Sequence, residues 1–416
     1  DVLPEGLLYC HDQVAAVEKA FKRAGVHALF LPHCDFGCEE VVGQLAKRMG
    51  VPVLIWGNRD PYPDYPGGKD RDTQCGTLAS TKALQRYGVP FSYILNTDVE
   101  DAPLKRGFED FCAVANVVRR FRGMRILLAG TRPQAFLSVI YNEDELLRRF
   151  GIEVYPWGSA AWLEAADRIL AERADEVTRE MQAFARQVDV SDLTYERQRR
   201  QAALVLALCE MAERHDIDGV AMECWSLLPE RYGISGCQIV GQLCQRGLPC
   251  ACEGDVLGAV TAVMMQAAAL DKEPVFFSDI TSRHPEQDNT ELLWHCGPYP
   301  PSLAHPDTPP KSTFHGRGAF QLKNGPITIA RLDAANGRYS LFSGEGRGVD
   351  GPPKKGNYVW LEVDCWADWE EKIVFGPYIH HVAGAYGQYS QILSEACKYL
   401  GGVSPDPMRP VKRVLG

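Results

Sequence analysis

Three segments that lie far apart in the sequence each end an apolar run with a side chain that can bind a metal ion. They are Glu223 in GVAMECW, Asp255 in LPCACEGDVLG and His381 in YIHHVAGAYG. Carboxylate oxygens with one imidazole suit a hard or borderline divalent ion such as Mn²⁺ or Mg²⁺, and three protein ligands leave coordination positions open for the oxygens of a substrate. This combination predicts a catalytic metal site.

Each of these residues also has a purely structural interpretation. Asp255 directly precedes the helix-like segment VLGAVTAVMMQAAAL, which it could simply cap, and capping is compatible with metal binding. His380 and His381 could be buried histidines bonded to backbone carbonyls. The small residues of the following AGAYG let a backbone approach closely, which favours a ligand at one of the two histidines.

Length, composition and charge exclude several classes of protein. The chain has 416 residues, which suggests two or three domains, and its 45% hydrophobic and 24% charged residues are typical of a soluble globular protein. A net charge of -10 disfavours nucleic-acid and anionic-membrane partners, and the short basic run at 197–201 is typical of a solvated helix face. Neither a membrane-spanning apolar stretch nor a signal peptide is present, which favours a cytoplasmic location.

The 14 cysteines are scattered through apolar segments, so we expect reduced thiols in the core. Cys34 and Cys38 form one close pair, and Cys250 and Cys252 form another. Neither pair has a partner pair at the spacing of a zinc site. We therefore expect no structural zinc.

The order of the predicted elements indicates the fold class. Strand-like runs at 27–33, 51–57 and 90–95 alternate with helix-like segments, which predicts a doubly wound parallel sheet. A second unit of the same kind begins at 124–130. From about residue 275, short β-like runs separated by turns predict an antiparallel, barrel-like region.

The predicted architecture is therefore α/β, with two successive doubly wound parallel α/β domains followed by a β-rich C-terminal domain. The predicted boundaries are 1–121, 122–250 and 251–416, and the last domain carries metal ligands. A parallel unit normally opens with a strand, whereas this sequence opens with a loop and a helix-like segment. We therefore expect the first strand of the first domain to be missing from the sequence.

Four segments resemble the L-fucose isomerase and L-arabinose isomerase superfamily, most closely its shorter, fucose-isomerase-like branch. They are PCACEGDVLGAVTAVMMQ, DNTELLWHCGPYP, LKNGPITIARL and HHVAGAYGQYSQILSEACKYLGG, and the resemblance covers nearly the whole chain. It implies two α/β domains followed by a β-rich domain. It also implies an enzyme that binds Mn²⁺ through a glutamate, an aspartate and a histidine and interconverts open-chain aldoses and ketoses.

The resemblance also implies roles for individual residues. The aspartate of the family's Glu-x-Asp element falls on Asp255, its histidine falls on His381, and His380 takes the position of a polar residue that contacts substrate. The glutamate falls on Glu223. Glu230 is the alternative, because the stretch between Glu223 and Asp255 is longer than in the best-known fucose isomerases.

The chemistry of such a reaction suits these residue types. Moving a carbonyl between C1 and C2 of a sugar requires removal of a proton from a carbon next to a carbonyl, which produces an unstable enediolate. A divalent ion that chelates O1 and O2 stabilises this charge, and a carboxylate can pass the proton. We assign both metal ligation and proton transfer to Glu223 and Asp255, and ligation alone to His381.

Further residues are candidates for contact with a sugar. The aromatic candidates also have an ordinary role in a core, and a Lys-Asn-Gly turn needs no function. The candidates are His380, Trp225, Trp294, Lys323, Asn324, Tyr386 and Gln388. Asp279, Asp288 and His295 are polar residues of the same segments without an assigned role.

Two alternatives to a neutral-sugar isomerase remain open. A sulfonated or phosphorylated substrate would require a cation such as Arg283, Arg317 or Lys323. A non-catalytic sugar-binding module can also have two successive α/β domains, but it would not need the metal ligands. In either case the expected ligand is a small sugar, with no nucleic acid and no membrane as a partner.

The resemblance further implies a homo-oligomer, a trimer or hexamer, whose active sites are shared between subunits. The long polar loop at 58–76 could cover the site of a neighbouring subunit, with Arg71 or Asp72 touching substrate, because long loops are often functional. The alternative is a mobile surface loop.

Overall fold

The computed structural model describes residues 7–60 and 71–416. Their contacts form two compact units. The first comprises the described residues up to Arg119 together with Glu395–Leu400 and Val411–Gly416, and the second comprises Arg120–Ser394 and Gly401–Pro410. The three boundaries predicted from the sequence stay a prediction.

The first unit contains a parallel sheet of three strands with helices on both faces. Alternate residues of β2 face opposite ways: Val53 and Ile55 pack into one hydrophobic cluster, and Leu54 and Trp56 pack into another. This is the burial expected of a doubly wound sheet. The elements are α1 (Val14–Arg23), β1 (Leu29–His33), α2 (Glu39–Met49), β2 (Val53–Gly57), α3 (Thr73–Arg86), β3 (Ser92–Tyr93) and α4 (Ala102–Phe121).

The second unit begins with a parallel sheet of four strands in the order β5-β4-β6-β7. Every residue of β6 and β7 is buried, because helices cover this sheet. Its strands are β4 (Arg125–Ala129), β5 (Glu153–Trp157), β6 (Gly219–Met222) and β7 (Cys250–Cys252). Its helices are α5 (Glu143–Glu145), which continues as a π-helical turn over Leu146–Phe150, α6 (Ser159–Glu172), α7 (Ala174–Ala185), α8 (Tyr195–Arg214), α9 (Leu227–Tyr232), α10 (Cys237–Gln245) and α11 (Val256–Ala268).

The same unit continues into a closed antiparallel barrel of six strands, in the order β14-β9-β8-β15-β12-β13, with β13 pairing back onto β14. These strands are β8 (Phe276–Arg283), β9 (Thr290–His295), β12 (Gly325–Ala335), β13 (Arg338–Val349), β14 (Asn357–Glu362) and β15 (His381–Tyr386). The remaining elements are β10 (Lys311–Ser312), β11 (Gly318–Gln321), α12 (Trp366–Phe375), α13 (Ser390–Cys397) and β16 (Val403–Pro407). Parallel α/β sheets followed by an antiparallel barrel confirm the predicted fold class.

Helix α11 joins the parallel sheet to the barrel. All of its residues are buried, and it contacts β6 and β7 on one side and β12 and β15 on the other. Its first turn therefore lies where the carboxyl ends of β6 and β7 meet the start of β15. This junction is the place where a site can form between the sheet and the barrel.

Within the ranges that the structure describes, no helix is both long enough and apolar enough to cross a membrane.

Candidate active site

The turn between β7 and α11 sets up the junction. Glu253 and Gly254 both have left-handed backbone, with φ of 64° and 68°. A side chain at Gly254 would approach the backbone nitrogen of Arg132 to 2.8 Å, so only glycine fits there. The turn aims the Glu253 carboxylate at the barrel and leaves Asp255 as the N-cap of α11, where it accepts a hydrogen bond of 2.8 Å from the backbone of Gly258. The predicted cap is confirmed.

Asp255 is also the centre of a buried network of charges. It is fully buried and accepts hydrogen bonds from two nitrogens of Arg331 and from Nδ1 of His381, the latter at 2.9 Å. Arg331 is equally buried and also bonds Asp333 at 3.0 Å. Burial acts to raise the pKa of Asp255, but Arg331 and His381 outweigh it and hold that pKa well below its ordinary value. Asp255 is therefore a permanent anion at neutral pH.

Three buried ligand atoms next to this network have no hydrogen-bond partner other than one another in the described part of the chain. They are Oε2 of Glu253, Oδ1 of Asp279 and Nε2 of His381. Nε2 lies 3.0 Å from the Glu253 oxygen and 3.6 Å from the Asp279 oxygen. Buried polar atoms are rarely left unpaired, so three that converge in this way indicate a group that they are built to bind.

Asp255 determines how His381 can take part in that binding. A carboxylate that accepts from Nδ1 fixes the proton there and points the lone pair of Nε2 at the two other carboxylates, which is how metal-binding histidines are usually oriented. Burial acts to lower the pKa of His381, but Asp255 and Glu253 raise it to about 9. Two carboxylates around one imidazole thus favour a positive charge at this point, as a proton or as a bound cation.

Two groups of side chains have donor atoms close enough to hold one ion. The donors of Asp279, His380 and His381 lie within 4.8 Å of one another, and so do those of Cys224, Cys252 and Glu253. The first group, joined by the Glu253 oxygen beside His381, offers oxygen and imidazole ligands that suit Mn²⁺ or Mg²⁺. The second group includes thiols, which favour softer ions. The residues present therefore fit a divalent cation.

Aromatic side chains line the open side of the site. Trp225 is 49% exposed and donates a hydrogen bond of 3.0 Å from its ring nitrogen to Oε1 of Glu253. The ring of Phe136 packs edge-on against Trp225, His380 and His381, with centroid distances of 4.7, 6.3 and 5.9 Å. Because His380 is exposed while His381 is fully buried, the site runs from solvent at Trp225 and His380 to the buried charge network.

A histidine and a pair of cysteines adjoin the site at Asp279. His295 lies 3.8 Å from Oδ1 of Asp279 and 3.0 Å from the sulfur of Cys252. Burial acts to lower the pKa of His295, but Asp279 and Cys296 raise it to about 10. The sulfur of Cys296 lies 2.9 Å from that of Cys237 and 3.3 Å from Nδ1 of His295. The hydrogen bond from Cys237 and the neighbouring His295 lower the pKa of the Cys296 thiol.

Of the three predicted ligands, the structure brings Asp255 and His381 together. Glu223 follows β6, and its carboxylate accepts hydrogen bonds from the hydroxyls of Ser159, at 3.1 Å, and Ser226. Among the described residues, Glu223 forms no hydrogen bond or ion pair with Asp255 or His381. Glu230 is exposed on α9. The ligand set of Glu223, Asp255 and His381 stays a prediction.

The predicted substrate residues divide into two groups. His380 and Trp225 line the site, and Trp294 is the register partner of Asp279. Tyr386 lies at the far end of β15 from His381, about 17 Å away for an extended strand, and its hydroxyl bonds the carbonyl of Lys323. Asn324 and Gln388 flank that same end of the strand. The structure does not bring this second group together with His381.

The structure places the three predicted cations and only a part of the predicted covering loop. Arg283 bonds the carbonyl of Asp288 at 2.7 Å, and Lys323 pairs with Glu273 at the same distance. Arg317 donates to the hydroxyl of Ser235 at 3.0 Å. Most of the predicted loop at 58–76 lies outside the described residues.

Sequence reasoning missed the roles of several site residues. Asp279 and His295 were recognised as polar but could not be assigned, and Glu253 was noted only as part of the Glu-x-Asp element. Arg331 carried a usable signal: it is a charged residue inside the apolar strand ITIARL, and buried charges are almost always paired.

Comparisons with known families agree with this architecture. Residues 1–122 match the family described as fucose/sulfoquinovose isomerase, N-terminal domain, and residues 310–404 match L-fucose isomerase, C-terminal domain. The chain belongs to the fucose isomerase-like family. It is an aldose-ketose isomerase, which confirms the predicted enzyme class over the sugar-binding module.

Several curated relatives within this family are named sulfoquinovose isomerase. That of Priestia megaterium is 22% identical over 408 residues, which cover 96% of this chain and 90% of the relative. That of Alkalicoccus urumqiensis is 22% identical and covers 81% of this chain and 75% of the relative. That of Clostridium sp. strain MSTE9 is 27% identical and covers 67% of this chain and 61% of the relative.

Proposed function

We propose that the protein is a divalent-metal-dependent isomerase that converts an open-chain aldose bearing a terminal sulfonate into the corresponding ketose. The observation that carries the metal dependence is the convergence of three buried ligand atoms, on Glu253, Asp279 and His381. In the described part of the chain they have no hydrogen-bond partner other than one another. The relatives named sulfoquinovose isomerase support a sulfonated sugar, which was the alternative substrate in the sequence analysis. Unmodified L-fucose, L-arabinose and D-arabinose are the competing substrates.

Glu253, Asp279 and His381 would hold the cation, which we propose to be Mn²⁺ or Mg²⁺ from the oxygen and imidazole donors. When bound, such an ion would supply positive charge that stabilises the anion formed when the sugar loses a proton. Asp255 accepts four hydrogen bonds in this arrangement, so its lone pairs are engaged and its low pKa makes it a weak base. In this proposal Asp255 positions His381.

Glu223 is the better group for proton transfer. Its carboxylate is held by two hydroxyls, carries no ion pair in the described part of the chain and is half-buried. The two residues that follow it contact or approach Glu253: Cys224 has its sulfur within 4.8 Å of that carboxylate, and Trp225 donates to it. A base at Glu223 would therefore lie beside the metal ligands and take up the proton that leaves C2.

The test is isomerisation of a panel of sugars in D2O, followed by NMR of the products. We expect sulfoquinovose to be converted faster than L-fucose, L-arabinose or D-arabinose, with deuterium incorporated at the carbon next to the carbonyl and with activity lost on chelation and restored by Mn²⁺. Conversion without any dependence on added metal would contradict the metal proposal. A preference for an unmodified sugar would contradict the sulfonated substrate.

The position of the ion distinguishes the two ligand sets. Anomalous diffraction from a crystal soaked in Mn²⁺ should show the strongest peak between Glu253, Asp279 and His381. A peak coordinated by Glu223 and Asp255 would instead support the set predicted from the sequence. A peak away from all five side chains would contradict both.

We also propose a homo-oligomer, a trimer or hexamer with shared active sites, on the basis of the family resemblance. The cytoplasmic location inferred from the sequence remains a prediction.

A further inference from the structure

The loop that follows β4 lies between the two ends of the proposed site. It begins at Gly130, where an added side chain would approach the Cβ of Glu223 to 2.7 Å, and two residues later the backbone of Arg132 packs against Gly254. The loop therefore runs from the proposed proton-transfer residue to the turn that carries Glu253. It ends at Phe136, whose ring covers His380 and His381.

Arg132 is held in this loop by one edge of its guanidinium group. Nη1 donates to the carbonyls of Pro133, Gln134 and Phe136, at 3.2, 3.3 and 3.4 Å. Within the residues that the structure describes, Nε and Nη2 have no hydrogen bond and the guanidinium has no carboxylate partner. The side chain is half-buried. Such an arginine is oriented in advance and keeps free the Nε and Nη2 edge, which binds two oxygens of an oxyanion side by side.

The other cations considered for an anionic substrate are placed differently. Arg283 bonds the carbonyl of Asp288 and lies 3.5 Å from its carboxylate, and the charge of Lys323 is compensated by Glu273. The buried Arg331, which was not among those candidates, is compensated by Asp255 and Asp333. Arg317 uses its Nε on the hydroxyl of Ser235 and is exposed. Arg132 therefore combines an open bidentate edge with a place beside the Glu253 turn.

We propose that Arg132 is the specificity-determining residue of the site and binds the sulfonate at the far end of the sugar from the reacting C1 and C2 carbons. This inference rests on the proposed function. Two N–H donors on one rigid, positively charged edge bind a tetrahedral oxyanion well, and Arg132 provides them without breaking an existing ion pair. An uncharged sugar has no anionic group that could bind to the Nε and Nη2 edge of Arg132.

The experiment compares Arg132→Gln, Arg132→Lys and the matched control Arg317→Gln with the wild type. Each is assayed on sulfoquinovose and on quinovose, which is the same sugar with a hydrogen in place of the sulfonate. Arg132→Gln should lower kcat/KM for sulfoquinovose by about 10², mainly through KM, because it removes a charge-assisted bidentate contact. Its kcat/KM for quinovose should stay within about threefold of the wild type. Arg132→Lys keeps the charge and should show an intermediate loss of kcat/KM for sulfoquinovose. Arg317→Gln should leave kcat/KM unchanged for both sugars.

Two outcomes would overturn the inference. One is an unchanged ratio of kcat/KM for the two sugars in Arg132→Gln, and the other is a loss of sulfoquinovose preference in Arg317→Gln instead. An equal loss on both sugars leaves that ratio unchanged and is the result of a disturbed loop, not of a lost anion contact. If the wild type isomerises neither sugar, the proposed function fails. Calorimetric binding of sulfoquinovose then still decides the role of Arg132, since equal affinity in wild type and Arg132→Gln contradicts it.

Discussion

The substitution Asp255→Asn tests the buried charge network directly. The carboxylate of Asp255 accepts from Arg331, His381 and the backbone of Gly258, and none of these groups can reach water because Asp255, Arg331 and His381 are at most 1% exposed. Asparagine keeps one accepting oxygen but turns the other atom into a donor. Two donors on Arg331 and His381 would then face an NH2 group.

The expected cost follows from this geometry. Breaking a buried ion pair by removing one partner typically costs about 3–5 kcal/mol. We expect the lower end, about 3 kcal/mol, because Asp333 still compensates Arg331 and because asparagine remains a good N-cap for α11. The natural control is Asp333→Asn, which removes only one contact of 3.0 Å with the same arginine. It should cost about 1–2 kcal/mol.

The assay is urea unfolding at pH 7 without metal, with the free energy of unfolding compared among the wild type and both variants. Mn²⁺ titration by calorimetry provides a second readout. In Asp255→Asn the amide NH2 donates to Nδ1 of His381, which moves the ring proton to Nε2 and should weaken Mn²⁺ binding by about 10–100-fold. Asp333→Asn should leave Mn²⁺ binding nearly unchanged. A loss of stability below about 1 kcal/mol in Asp255→Asn, or equal Mn²⁺ affinity in both variants, would refute this reasoning.

Three further predictions concern proton transfer, pH and assembly. Glu223→Gln should lower turnover by at least about 10² at saturating Mn²⁺ while the melting temperature is retained, since it removes a base but keeps the shape; near-normal isomerisation would exclude the role. Glu291 is 3% exposed, and burial raises its pKa to about 7 despite Arg283. The stability that protonated Glu291 contributes is therefore fully present below the unfolded pKa near 4.5 and is lost as pH rises through 7. The loss is at most about 3 kcal/mol. Glu291→Gln should abolish this pH dependence in urea unfolding, and an unaltered profile between pH 4.5 and 8 would contradict it. Light scattering should give a trimer or hexamer; a fully active species at the chain mass of 46.2 kDa would rule out shared active sites.

The sequence alone determined the fold class and indicated candidate site residues, because both depend on local patterns. Strand and helix periodicity is set by residues a few positions apart, so the parallel sheets and the later β-rich region could be predicted. Asp255 stood out because it follows an apolar run and precedes a helix-like segment, and His381 stood out because it adjoins the apolar, small-residue run that forms β15. A short segment of sequence is enough to show that a residue borders a buried strand or begins a helix.

The tertiary structure decided which side chains meet. Asp255 contacts Arg331 and His381 across 76 and 126 residues of sequence, and no local pattern records such a contact. Asp279 joins the site only because β8 pairs with β15 in the register that sets it opposite His381. Glu253 reaches the site through left-handed backbone at the turn. These residues were visible in the sequence, but strand register and helix packing bring them together, and both are set by burial over the whole second unit.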